Sequence, residues 1–145
     1  MGYLISAEKI HDKIYFIRGK HVMLDEDLAG IYGVETKYLN RAVKRNIERF
    51  PEKFRFQLSS KEYKILRFQI GTTKKGSRGG RQYFPYVFTE QGVSMLSAVL
   101  RSETAVKVSI QIMDAFVEMR RFLNNIMQDC SNKSKMLKQN CWHIK

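Results

Sequence analysis

Residues 27 to 45 read DLAGIYGVETKYLNRAVKR, and the spacing within this stretch decides the fold. Leu28, Ala29 and Tyr32 recur at the interval of one helix face. Asp25 stands where a capping side chain is needed, and Gly33 can end the helix in the left-handed conformation that a Cβ disfavours. A second helix is expected from Thr36 to about Asn46, burying Leu39, Ala42 and Val43 and leaving Lys37, Asn40, Arg41, Lys44 and Arg45 outside. Two steeply crossing helices need a small residue at their closest approach, a glycine where the chain reverses, and apolar residues at fixed offsets. Ala29, Gly33, Val34, Leu39 and Ala42 supply these. The pattern alone fits a helix-turn-helix and an arbitrary helical hairpin with solvated charges equally well.

Charge separates the two. Residues 36 to 82 hold fourteen Lys and Arg against three acids, whereas residues 1 to 35 sum to −2 and residues 83 to 129 to −1. Of the net charge of +12, +11 is therefore local to residues 36 to 82, and the last sixteen residues contribute +4. A basic surface concentrated on one structural unit is the electrostatic footprint of a phosphate-binding face, because each neutralised phosphate releases counterions.

Composition sets the bounds. The 145 residues suit one domain, and 43% hydrophobic residues are too many for a disordered chain. Cys130 and Cys141 lie in a polar tail with only His143 near them and no CxxC pair, so neither a metal site nor a cofactor is expected, and a reduced intracellular setting fits. No apolar run approaches the ~20 residues of a membrane span, and MGYLISAEK is not a secretory start. Gly2 and Ser6 fit a loose myristoylation pattern, but ordinary N-terminal residues are the better reading. The expected location is the cytoplasm.

Outward from the helical pair, Ile14-Tyr15-Phe16-Ile17 and Val22-Met23-Leu24 flank Arg18-Gly19-Lys20 as the arms of a β-hairpin. Phe54, Phe56 and Leu58 alternate with polar residues as in a strand, after Pro51 stops the preceding helix. Ser59 and Glu62 form a capping box for a helix through about Gln69. The Gly-rich basic segment GTTKKGSRGGRQYFPYVF then reads as a wing over about residues 71 to 88, with Lys74, Lys75, Arg78 and Arg81 available to a phosphate backbone. A solvated surface hairpin is the plainer alternative. It is not a nucleotide-binding P-loop, since no Lys follows Gly76.

Thr89 caps a helix through Leu100 that turns Val93, Met95, Leu96 and Val99 inward, and Ser102 starts a longer one to about Gln128. Val106, Ile110, Met113 and Val117 beside Ala105, Ser109, Ile112 and Phe116 make a face wide enough to pack on the core. Phe116, Met119, Leu123 and Ile126 then repeat at intervals of 3, 4 and 3, the a/d seam of a coiled coil, and offer a homodimer contact. A plain core-packing helix fits the same spacing. Beyond Asp129 the polar, aperiodic sequence is expected to fray.

IRGKHVMLDEDLAGIYGVETKYLNRAVKRNIERFPEKFRFQLS, the Arg-Gly-Gly-Arg loop and YVFTEQGVSMLSAVLRSETAVKVSIQIMDAFVEMRRFL together resemble the phage and prophage "ORF-six N-terminal" (ORF6-N) DNA-binding domain, a relative of the KilA-N and Bro-N domains, over about residues 14 to 123. The resemblance implies a DNA-binding module of antirepressor-type or regulatory phage proteins in the bacterial cytoplasm or nucleoid. Such modules are usually joined to a coiled coil and a variable C-terminal domain. Here the sequence after Leu123 does not resemble a continuing coiled coil, as in a truncated form of a longer protein.

These readings converge on an α+β, winged helix-turn-helix-like domain with a long C-terminal helix. Residues 1 to 123 form the DNA-binding domain (helix-turn-helix about 25 to 46), and residues 124 to 145 the helix end and polar tail. The expected activity is sequence-directed binding of double-stranded DNA in transcription regulation, without catalysis. Thr36, Lys37, Asn40 and Arg41, in the first turns of the recognition helix, are assigned to base edges, Arg41 suiting guanine and Asn40 adenine. Lys44, Arg45, Lys74, Lys75, Arg78 and Arg81 are assigned to phosphates. Rival readings are an antirepressor that contacts a repressor protein and an RNA-binding protein, the latter requiring exposed aromatics. A nuclease is disfavoured because Asp25, Glu26 and Asp27 are consecutive and fan around a helix start.

Overall fold

A computed structural model describes residues 7–70 and 84–142. The hairpin forms where the apolar clusters place it: β1 (Tyr15–Ile17) pairs antiparallel with β2 (Lys20–Leu24), Tyr15 opposite Val22 and Ile17 opposite Lys20. Arg18 (φ 55°) and Gly19 (φ 75°) make the reversal with two positive φ angles, the turn whose twist matches that of the flanking strands. A short helix α1 (Ala7–His11) precedes it.

The sheet is completed by β3 (Arg55–Gln57) and β4 (Tyr86–Phe88) in the order β1-β2-β4-β3, every pairing antiparallel. Strand period 2 splits its apolar residues between two cores. Val22, Leu24, Phe56 and Val87 face α4 (Ser60–Ile70) and its Leu66. Met23 and Phe88 face the other helices, where Leu28, Leu39, Val43, Val93, Leu96, Ile112 and Phe116 close the larger core. The fold is thus α+β, with a four-stranded antiparallel sheet among the described residues and a long C-terminal helix.

α2 (Asp25–Tyr32) and α3 (Thr36–Arg45) form the helical pair. Gly33 takes φ 74°, and its N–H and that of Val34 bond the Gly30 and Ala29 carbonyls, the two bonds of a Schellman ending. Leu39 and Val43 are fully buried, while Ala42 is only half-buried. The capping box forms as expected: Ser59 N donates to Glu62 Oε1 (2.8 Å) and Glu62 N to Ser59 Oγ (3.2 Å). Thr89 caps α5 (Glu90–Leu100) by accepting from Gly92 N, and Ser102 Oγ accepts from Ala105 N at the start of α6 (Glu103–Trp142).

Three expectations are corrected. α6 does not end near Gln128 but continues to Trp142. No Gly or Pro follows Gly92, so nothing in the backbone chemistry stops the helix, and a polar composition leaves it solvated without breaking it. Its inward face is also rotated, because Val106 and Ile110 are exposed while Val108 and Ala115 are buried. Asp25 is the first residue of α2, with Leu24 at the cap position; its side chain is fully buried and serves a different purpose, described below.

Candidate nucleic-acid interface

α3 presents the cations. Lys37, Arg41 and Lys44 recur at i, i+4 and i+7, on one outward face, with Arg45 beside them, and all four are exposed. None has an ion pair among the described residues. Tyr38 stands 52% exposed on the same helix and was missed by a reading that sought only charge. Thr36, at the first position of α3, is half-buried.

Asn40 faces inward, against the expectation that it stands free for an adenine. Its Nδ2 donates to Asp25 Oδ2 at 2.9 Å, and its Oδ1 is buried. Asp25 Oδ1 in turn accepts from Glu26 N (2.7 Å), and Oδ2 from Tyr86 N (3.4 Å). A buried carboxylate needs such donors to offset lost hydration. The outcome is a polar clamp joining the start of α2, the middle of α3 and the first residue of β4.

Other bonds fix the scaffold. The Tyr32 and Ser109 hydroxyls lie 2.5 Å apart in the interior and tie α2 to α6, and burial pushes the Tyr32 phenol up to about 12. Arg18 donates through Nε and Nη2 to Glu62 at 2.7 and 2.9 Å, and this guanidinium holds the Glu62 carboxyl down to about 2. Arg55, one of the fourteen cations of the basic segment, lies over the Tyr86 ring at 3.6 Å and belongs to the scaffold.

Lys74, Lys75, Arg78 and Arg81 lie outside the described residues. The described flanks of their segment are the end of α4 and Phe84, whose carbonyl accepts from Gln57 Nε2 and whose ring meets Tyr63 edge-on at 5.8 Å. The dimer seam is partly reassigned. Phe116 is 1% exposed in the core and Met119 packs against it, while Leu123 (37%) and Ile126 (43%) are exposed with Phe122 and Met127. A core-facing stripe and a coiled-coil seam share the same 3-4 spacing, so periodicity alone could not divide them.

Among the described residues, no three His, Cys, Asp or Glu side chains converge to hold a metal ion, and no helix is long and apolar enough to cross a membrane. The family model of the ORF6N domain matches residues 12–99, from the hairpin through α3 to α5. The chain belongs to the ORF6N domain family. No curated protein and no solved structure matches it.

Proposed function

We propose that this protein is a phage-type transcription regulator that binds double-stranded DNA in a sequence-directed way through a winged helix-turn-helix, without catalysis. The observation that carries the reading is the exposed cationic face of α3, Lys37, Arg41, Lys44 and Arg45, with no internal partners among the described residues. α2 and α3 serve as the helix-turn-helix, and α3 enters the major groove. Arg41 and Lys37 read base edges with Thr36, and Lys44 and Arg45 contact phosphates. Asn40 is withdrawn from the base-reading set because Asp25 holds its amide. Lys74, Lys75, Arg78 and Arg81 act as wing cations on the backbone.

Selection of bound sequences from a random duplex pool tests this reading. Enrichment of one motif, lost in Arg41→Ala, is the expected result. Recovery of random sequence with unchanged yield in that variant would overturn it.

A second reading, contact with a protein, is favoured by α6. From Arg121 to Leu137 every residue is exposed, and Phe122, Leu123, Ile126, Met127, Met136 and Leu137 are apolar. A second copy of this helix is the proposed partner, and a repressor protein the alternative one.

A further inference from the structure

The molecule has a second cationic concavity that lies away from α3. Two adjoining cavities of about 450 and 460 Å³ share Lys20 and Lys53 in their walls. Arg18 stands in one and Arg120 in the other. Each arginine is already paired, Arg18 with Glu62 and Arg120 with Glu90 at 2.6 Å. The two lysines between them are exposed and have no ion pair among the described residues. With Glu52 and Glu90 counted and His21 neutral, the lining residues sum to +2.

Strand register places this groove. Tyr86 and Gln57 close the end of the sheet tied through Asp25 to α3, whereas Lys20 and Lys53 flank the other end, beyond Phe88 and Arg55. Four residue steps along β2 separate Lys20 from Leu24, on the order of 13 Å. An aromatic platform adjoins it. Phe16, 62% exposed, meets the His21 ring edge-on at 5.0 Å, and His21 lines the cavity that holds Arg120.

We infer that the Lys20–Lys53 groove is a second phosphodiester-binding site, which takes the backbone of a nucleic-acid strand at the end of the sheet remote from α3. Unpaired lysines between two braced arginines favour a chain of phosphates over a single compact anion, because the charge extends along both cavities. Cations beside an exposed aromatic are the arrangement on which a strand lies with a base stacked. The inference rests on the nucleic-acid reading above but on none of its α3 residues.

The test measures affinity against salt for the full chain with two labelled probes, a 30-base-pair duplex and oligo-dT20. Lys20→Gln/Lys53→Gln is compared with Lys37→Gln/Arg41→Gln. Loss of two phosphate contacts should reduce the magnitude of the slope of log K on log salt by about 1.8 on duplex or about 1.4 on single strand. Such a reduction in the groove variant supports the site. Unchanged slopes on both probes, with wild type binding, overturn it. Unchanged slopes in the α3 variant instead overturn the α3 reading, and a wild type that binds neither probe overturns both. Phe16→Ala then distinguishes the sources: a loss confined to dT20 assigns the groove to a single strand, and no loss assigns it to duplex.

Discussion

Asn40 on α3 donates its side-chain amide to Asp25, the fully buried first residue of α2, at 2.9 Å. This bond orients the outward face of α3, because Lys37, Arg41 and Lys44 are fixed on the helix whose middle is clamped to α2 and β4. Asn40→Ala is therefore expected to lower stability by about 1 to 3 kcal/mol, since a buried carboxylate loses a donor. Urea unfolding measures that loss. Discrimination between preferred and random duplex should survive; unchanged stability with discrimination lost would return Asn40 to base reading.

Gly92 is required for a different reason. A Cβ at this position would lie 2.4 Å from the Phe54 carbonyl oxygen, the same oxygen that accepts from Thr89 N. That oxygen belongs to the backbone, so it cannot step aside cheaply. Gly92→Ala should cost about 1 to 3 kcal/mol in unfolding free energy even though alanine is the better helix former. A stabilised variant would contradict the close approach of α5 to the Phe54 carbonyl.

How far these features were legible follows from their range. The Ser59–Glu62 box and the Gly33 ending are local, set by residues within five positions, and the sequence states them directly. Gly92 and Asn40 owe their roles to Phe54 and Asp25, partners that only the folded sheet and the crossed helices bring near. The insertion of β4 between β2 and β3 is likewise non-local. Core and coiled coil use one periodicity, so spacing alone does not place Phe116, and a polar composition resembles fraying although it does not break α6. The cations of α3 were visible as residue types, but not which of them the fold leaves unpaired.

Stability in acid should depend on the Arg18–Glu62 pair. The folded carboxyl is held down to about 2, below its unfolded value of about 4.3, so the pair stabilises fully above the unfolded value and is lost as pH falls toward 2. Arg18 is more than a third exposed, and screening limits the effect to about 1 kcal/mol. Glu62→Gln keeps a residue able to complete the capping box while removing the charge. Urea midpoints for the two proteins should differ at pH 7 and converge near pH 2. An equal gap at both values would show that the ion pair is not its source.

The exposed part of α6, about 26 Å of helix from Arg121 to Leu137, should associate with a second copy. Sedimentation of the intact chain is expected to show a concentration-dependent dimer that Leu123→Glu abolishes. Leu123 rather than Phe116 is the test residue, because charge at Phe116 would unfold the core. A monomer in both proteins would contradict the seam.

Duplex-DNA affinity measured against salt for the intact chain tests the proposed function most directly. About six phosphate contacts from α3 and the basic segment give an expected slope of log K on log salt near −5. A slope flatter than about −2 would mean that the cationic face of α3 does not bind DNA.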